Sequence, residues 1–269
     1  MIPQEQYQRL LLTGAAGGLG RVLRQRLKPF ARAMRISDRE RIEPVGDEDV
    51  VRCDLADKAA VHALVAGVDA IAHFGGVSVE DRYEAILQSN IVGVFNLYEA
   101  ARKHGVKRIV FASSNHVVGF YRQTDRIDTE APVRPDGHYG ISKCYGENLS
   151  RYYFDRHGIE TVCLRIGSSF PEVKDRRMLS TFLSYDDLVE LVRCALFAPD
   201  VGHTVIFGVS DNSSSWWDNS KAAHLGFRAR DNSEGQRARV EAANPPLDAS
   251  DPRRVYQGGA FTCAGPFDD

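Results

Sequence analysis

The stretch Thr13-Gly14-Ala15-Ala16-Gly17-Gly18-Leu19-Gly20 follows an apolar run that begins at Arg9. Apolar residues then recur at helical spacing at Leu19, Val22, Leu23 and Leu27. Glycines allow a tight turn and close backbone approach, and a helix N-terminus offers unpaired N–H groups to a pyrophosphate. A strand, glycine turn and helix in this order predict a dinucleotide site rather than a purely structural turn. Its predicted phosphate-binding residues are Gly14, Gly17, Gly18, Leu19 and Gly20.

Acidic residues follow the glycine turn where a nucleoside would lie. Asp38 ends the second predicted strand, 18 residues after Gly20, which is close to the separation expected for an acid that binds the adenosine ribose. A carboxylate there accepts hydrogen bonds from the ribose hydroxyls and repels a 2′-phosphate, so NAD is the predicted cofactor. Arg39 leaves 2′-phosphate binding as an alternative. Asp54 and Leu55 are placed to border the adenine, unless Asp54 caps the following helix.

Short apolar strands alternate with helical patterns along the first two thirds of the chain. Helices are predicted at residues 58–65, 83–104, 139–157 and 186–197. Residues 109–112 are apolar at every position, as in a parallel strand covered on both faces. We therefore expect an α/β fold with a Rossmann-type doubly wound parallel sheet in residues 1–167. Residues 168–269 are expected to form a small C-terminal substrate lobe, packed on the core, with some strands returning to the sheet.

The composition excludes several classes of protein. Thirty-four basic and 36 acidic residues give a net charge of −2, which does not suggest a nucleic-acid partner. Charged residues interrupt every apolar run well before the roughly 18 residues that a membrane span needs. The five cysteines are odd in number and widely spaced, so we expect neither a disulfide framework nor a metal site. A reducing cytoplasm fits this cysteine pattern best.

The segment Tyr139-Gly140-Ile141-Ser142-Lys143 carries a phenol and an ammonium on one helix face. The helix follows the predicted strand 108–112, which ends at Ser113 and Ser114, and ligands bind outside the carboxyl ends of such strands. Lowering the pKa of a tyrosine from about 10 to neutrality takes roughly 4 kcal/mol. A cation about 4 Å away supplies roughly that much at an effective dielectric of about 20. These residues therefore predict Tyr139 as a general base tuned by Lys143, with Ser114 stabilising the reacting oxygen.

Together these features resemble the short-chain dehydrogenase/reductase family, in particular its extended branch. The matching residues are Gly14, Gly17, Gly20, Asn90, Ser113, Ser114, Tyr139 and Lys143. The resemblance implies a Rossmann-type sheet, binding of the nicotinamide ribose by Tyr139 and Lys143, and a role of Asn90 in cofactor binding and in a proton relay. A buried amide or a helix kink would explain Asn90 equally well. The predicted helices 83–104 and 139–157 pair across dimers in many relatives, which implies a homo-oligomer.

Local segments are similar to the bacterial uronate dehydrogenases within that branch. They are residues 75–80, 113–121, 165–168, 177–181, 216–219 and 256–259. This resemblance implies oxidation of the C1 hydroxyl of D-glucuronate or D-galacturonate by NAD⁺ to an aldarolactone. It also implies that Arg177 clamps the sugar carboxylate, as a guanidinium fork can, although the residue alone would suggest solvated surface. The implied contacts to sugar hydroxyls are Ser78, Ser114, Asn115, His116, Tyr139 and Ser168.

Two other functional classes stay open. The first is a nucleotide-sugar epimerase, dehydratase or reductase of the same branch, which is disfavoured by Val118 where many of those enzymes have tyrosine. The second is a non-catalytic dinucleotide-binding module, against which the set Ser114, Tyr139 and Lys143 argues. Phe261 either walls the pocket or packs in the core, and core packing is expected. Packing is also the simplest role for Trp216-Trp217.

Overall fold

A central sheet of seven parallel strands carries the fold in the part of the chain that the computed structural model describes, residues 6–265 and 267. The strands in chain order are β1 (Tyr7–Thr13), β2 (Ala31–Asp38), β3 (Asp49–Arg52), β4 (Ala70–His73), β5 (Arg108–Ser114), β6 (Ile127–Asp128), β7 (Glu160–Ile166), β8 (His203–Gly208) and β9 (Trp217–Asp218). The sheet order is β3-β2-β1-β4-β5-β7-β8, and β6 pairs with β9 in a separate parallel ribbon. The strand order reverses at β1, so a crevice opens between β1 and β4 at the carboxyl edge.

Helices connect the strands and cover both faces of the sheet. They are α1 (Gly18–Arg26), α2 (Lys58–Val65), α3 (Tyr83–Ile86), α4 (Gly93–His104), α5 (His138–His157), α6 (Met178–Thr181), α7 (Tyr185–Phe197), α8 (Arg237–Ala243) and α9 (Pro252–Val255). Among the described residues, no helix is long and apolar enough to cross a membrane.

Strand β1 shows why the sheet is doubly covered. Leu10 and Leu12 point into one core cluster, which also holds Leu188 of α7, whereas Leu11 points into a second cluster with Leu97 of α4. Successive side chains of a strand point to opposite faces, so a run that is apolar at every position needs a helix layer on each side. The predicted doubly wound Rossmann-type sheet is confirmed.

The predicted single helix 83–104 is in fact three consecutive pieces. A π-helical stretch, Leu87–Val92, lies between α3 and α4 and contains Asn90. The wider turn changes the residues that face the core. Val94 and Tyr98 are buried, whereas Phe95 is 41% exposed.

The last third of the chain returns to the sheet. Strand β8 pairs with β7 along its length and forms one edge of the sheet. Trp217 is buried, stacks on Phe207 with ring centroids 4.9 Å apart, and donates from Nε1 to Gln257 Oε1 at 2.9 Å. The predicted packing role of this tryptophan is therefore confirmed. The division of the chain at residue 167 stays a prediction.

Candidate active site

A cavity of about 940 Å³ runs along the carboxyl edge of the sheet. It extends from the glycine turn after β1, past the ends of β4 and β5, to Arg177 beyond β7. Parallel strands bring these chain-distant segments together because their carboxyl ends meet at one edge. All the predicted site residues line this cavity except Asn90.

The glycine turn meets the geometric requirements of a phosphate site. Gly14 has φ +73°, and a Cβ there would lie 2.4 Å from the carbonyl oxygen of Phe74. A Cβ at Gly20 would lie 1.9 Å from the carbonyl oxygen of Gly14. Gly17 is the N-cap of α1 and provides no side-chain cap, and a Cβ at Gly18 would meet open space. The helix N-terminus is thus accessible from the cavity and suits a pyrophosphate.

Two acidic residues, Asp38 and Asp54, line the cavity near this turn. Only Asp38 lies at the end of a strand. Asp38 ends β2 and accepts from the backbone N–H groups of Ala16 at 3.0 Å and Glu40 at 3.1 Å. Asp54 lies beyond the end of β3 and accepts from Ala56 N at 2.9 Å. The alternative role of Asp54 as a helix cap is wrong, because the N-cap of α2 is Asp57.

The three predicted catalytic residues meet in the middle of the cavity. Tyr139, in the first turn of α5, is only 6% exposed, and Ser114 at the end of β5 lies close enough to lower the pKa of its hydroxyl. Lys143 lies one turn later on the same helix. Its Nζ donates to Ala112 O at 2.8 Å and lies 5.5 Å from the centroid of the Tyr139 ring.

The pKa of Tyr139 moves in the direction opposite to the prediction. Burial raises it to about 12, and the hydrogen bond from Ser114 only partly opposes this effect. Burial also lowers the pKa of Lys143 to about 8. The penalty for burying a phenolate outweighs the stabilisation that neighbouring side chains supply. A further positive charge is needed to make Tyr139 a base near neutrality.

Asn90 is a buried amide that holds a loop rather than a lining residue. Its Oδ1 accepts from Val77 N at 2.9 Å, and its Nδ2 donates to Val77 O at 3.0 Å and to Ser142 Oγ at 2.9 Å. These bonds tie the loop that carries Ser78 to helix α5. The buried-amide explanation is supported, whereas a role of Asn90 in a proton relay stays a prediction.

Glu80 is a site residue that the sequence did not single out individually. Its side chain is buried, and its two oxygens accept from His138 N at 2.8 Å and Tyr139 N at 2.9 Å. Helix N-termini need such acceptors, but the usual signal is a capping residue adjacent in sequence. Here the acceptor comes from a loop 58 residues earlier than His138, so no local pattern could reveal it.

Arg177 directs a guanidinium to the far end of the cavity. It donates from Nε to Gln257 O at 2.5 Å and from Nη1 to Ser168 Oγ at 3.2 Å. Asn115, with its amide oriented so that both polar atoms are paired, accepts from Nη2 at 2.6 Å and donates to Ile166 O at 3.0 Å. Burial lowers the pKa of Arg177 to about 10, so it stays charged at neutral pH. Among residues 6–265 and 267, no carboxylate forms a salt bridge with it.

Comparisons with known proteins agree with this geometry. Residues 10–185 match the model of the NAD dependent epimerase/dehydratase family. The uronate dehydrogenase of Pseudomonas putida is 64% identical over 263 residues, covering 97% of this chain and 98% of the relative. The uronate dehydrogenase of Agrobacterium fabrum is 53% identical over 255 residues, covering 94% and 96%. The chain belongs to the uronate dehydrogenase family.

A solved structure extends the likeness to three dimensions. The crystal structure of a uronate dehydrogenase variant from Agrobacterium tumefaciens complexed with NAD superposes with a TM-score of 0.95. The two sequences are 51% identical, and the match covers 98% of this chain and all of that one. The dehydrogenase interpretation is thus favoured over the nucleotide-sugar and non-catalytic alternatives.

Two further residues, Phe261 and Asp136, lie in places that the sequence patterns did not predict. Phe261 lines the cavity and stacks on His116, with ring centroids 3.7 Å apart, so the expected core packing was wrong. Asp136 is buried, and its Oδ2 lies 2.7 Å from His116 Nδ1. Both contacts join residues far apart in the chain, and neither follows from a local spacing.

Proposed function

We propose that the chain oxidises the C1 hydroxyl of D-glucuronate and D-galacturonate with NAD⁺, releasing an aldarolactone. The observation that carries this proposal is the charge of Arg177. A largely buried guanidinium with only neutral acceptors faces the cavity that also holds Tyr139, Ser114 and Lys143. Asp175 and Asp136 act on this cation through space but form no ion pair with it, so a carboxylate ligand would supply the directly paired charge that a buried cation needs. A small sugar acid meets this requirement.

The end of the cavity opposite Arg177 has space and hydrogen-bonding groups for the cofactor. The glycine turn would hold the pyrophosphate, Asp38 the adenosine ribose, and Asp54 with Leu55 the adenine. Lys143 and Tyr139 would hold the nicotinamide ribose. When bound, NAD⁺ supplies a hydride acceptor and a positive charge near the phenol.

The residues of the chain handle the proton. Ser114 donates a hydrogen bond to the C1 oxygen, and Tyr139 takes the proton of the C1 hydroxyl as the C–H bond breaks. Lys143 stabilises the phenolate form of Tyr139. Ser168 and Asn115 hold the fork of Arg177, so that the two guanidinium edges can meet a carboxylate in a bidentate pair. Ser78 and His116 are left to bind sugar hydroxyls.

Turnover of matched sugars tests the proposal. NADH formation would be followed by absorbance with glucuronate, galacturonate, their neutral parents glucose and galactose, and a nucleotide sugar. We expect turnover of both uronates with little turnover of the neutral sugars, because only the acids pair with Arg177. Turnover of the nucleotide sugar without either uronate would overturn the substrate assignment.

Asp38→Asn is expected to weaken NAD⁺ binding and to shift preference toward NADP⁺. Charged hydrogen bonds contribute about 1.5–3 kcal/mol, so the KM for NAD⁺ should rise roughly 10- to 150-fold. Asp47→Asn, in the connection from β2 to β3, removes the same charge at an exposed residue outside the cavity and serves as the control. Steady-state kinetics with each cofactor would measure both effects. An unchanged NADP⁺ to NAD⁺ ratio in Asp38→Asn would contradict the ribose assignment.

The proposal extends to compartment and assembly. All five cysteines are free thiols, which is consistent with a reducing cytoplasm. We infer a homo-oligomer, with α4 and α5 as the pairing elements. Light scattering at several protein concentrations would measure the assembly.

A further inference from the structure

His116 occupies a polar position between the catalytic residues and Arg177. It lies in the 3₁₀ turn that follows β5, and its backbone N–H donates to Ser114 Oγ at 3.2 Å. One face of its ring stacks on Phe261. The ring Nδ1 lies 2.7 Å from Asp136 Oδ2, and this is the one hydrogen bond that the ring makes to the described residues. His116 lines the cavity, so Nε2 is the ring nitrogen left for a ligand.

Asp136 is held rigidly by backbone on two sides. Its side chain is fully buried. A Cβ at Gly119 would lie 1.9 Å from its Oδ2, and one at Gly258 would lie 1.8 Å away. The two glycines are joined by a backbone hydrogen bond of 2.8 Å from Gly258 N to Gly119 O. The carboxylate therefore sits in a slot that only glycines leave open, with Oδ2 aimed at His116.

The donor and the acceptor of the hydrogen bond between His116 and Asp136 can be assigned. A carboxylate only accepts hydrogen bonds, so His116 Nδ1 must carry the proton that faces Asp136. Burial lowers the pKa of His116, although Asp136 opposes this shift, so the ring is neutral at neutral pH. In a neutral imidazole with Nδ1 protonated, Nε2 is an acceptor.

We propose that Asp136 is a positioning residue that fixes His116 in the Nδ1–H tautomer, so that Nε2 accepts a hydrogen bond from a hydroxyl of the sugar acid. This inference rests on the proposed function. The guanidinium of Arg177 can only donate, and Nε2 of His116 can only accept, so the two groups recognise opposite kinds of substrate atom. A uronate bound in reverse would place carboxylate oxygens against the lone pair of Nε2. The Asp136–His116 pair thus selects one orientation of the substrate.

Nitrogen-15 NMR of histidine-labelled protein tests the tautomer directly. Protonated and unprotonated ring nitrogens differ in chemical shift, and His116→Gln assigns the signal among the eight histidines. We expect Nδ1 to be protonated and Nε2 unprotonated in the wild-type chain. A proton on Nε2 would overturn the inference even if the enzyme oxidises uronates. Absence of uronate turnover would instead reject the proposed function, and the NMR spectrum would still identify the tautomer of His116.

Kinetics of a double-variant cycle test whether Asp136 acts through His116. Asp136→Asn should raise the KM for uronate about tenfold, the loss expected for one hydrogen bond, with the KM for NAD⁺ unchanged. In a His116→Gln background the same substitution should have no further effect on the uronate KM. Asp128→Asn, at the end of β6, where the carboxylate accepts from Glu130 N, is the matched control. Independent, multiplying effects of the two substitutions would show that Asp136 does not act through His116.

Discussion

Tyr139→Phe is expected to lower kcat for uronate oxidation about 10²- to 10⁴-fold, the range attributed to a positioned general base. The substitution removes only the hydroxyl that lies near Ser114, and the buried ring still fills its place in α5. Binding of NAD⁺, measured by calorimetry, should change by no more than the roughly tenfold that one neutral hydrogen bond accounts for. A large loss in kcat with nearly normal cofactor binding would identify proton transfer as the function of Tyr139.

The matched control lies on the same helix. Tyr152 is 47% exposed and does not line the cavity, so Tyr152→Phe should leave kcat unchanged. If Tyr139→Phe retained kcat within a few-fold of the wild type, the base would have to be another group. Equal losses in the two variants would point to a general effect on helix α5 rather than to chemistry.

Arg177→Gln is expected to abolish the preference for sugar acids over neutral sugars. Removing one partner of a buried charge pair costs about 2–5 kcal/mol, which corresponds to a roughly 30- to 5,000-fold loss in kcat/KM for uronates. Turnover of glucose or galactose should change far less, because these sugars present no carboxylate to the guanidinium. The measured quantity is the ratio of kcat/KM values for uronate and parent sugar in each variant.

Two variants separate charge from geometry in this test. Arg177→Lys retains the charge but not the planar fork, and it should fall between the wild type and Arg177→Gln. Arg176→Gln changes the neighbouring arginine, which bonds Asn244 O and Glu241 outside the cavity, and it should keep the wild-type ratio. If Arg177→Gln lowered turnover of acids and neutral sugars equally, Arg177 would be supporting Gln257 and Ser168 rather than binding a carboxylate.

Local sequence patterns were sufficient to predict the parallel sheet and part of the candidate active site. The glycine turn, the apolar run at residues 109–112 and the pair Tyr139 and Lys143 each depend on backbone periodicity over a few residues. Such patterns are readable because strands alternate at every residue and helices return after about four. The carboxylate-binding role of Arg177 is implied by the resemblance to a known family and by no local sequence pattern.

Tertiary structure decided the features that depend on contacts between distant segments. Glu80 caps the N-terminus of α5 through a contact with His138, which lies 58 residues later in the chain. Asp136 contacts His116 at a separation of 20 residues, and Arg177 contacts Gln257 at a separation of 80 residues. It also decided the direction in which the pKa of Tyr139 moves, because burial depends on everything packed around the phenol and not on the spacing to Lys143. Periodicity determines which face of an element is apolar, whereas the charge and hydrogen-bond partners of a site depend on which other elements pack against that face.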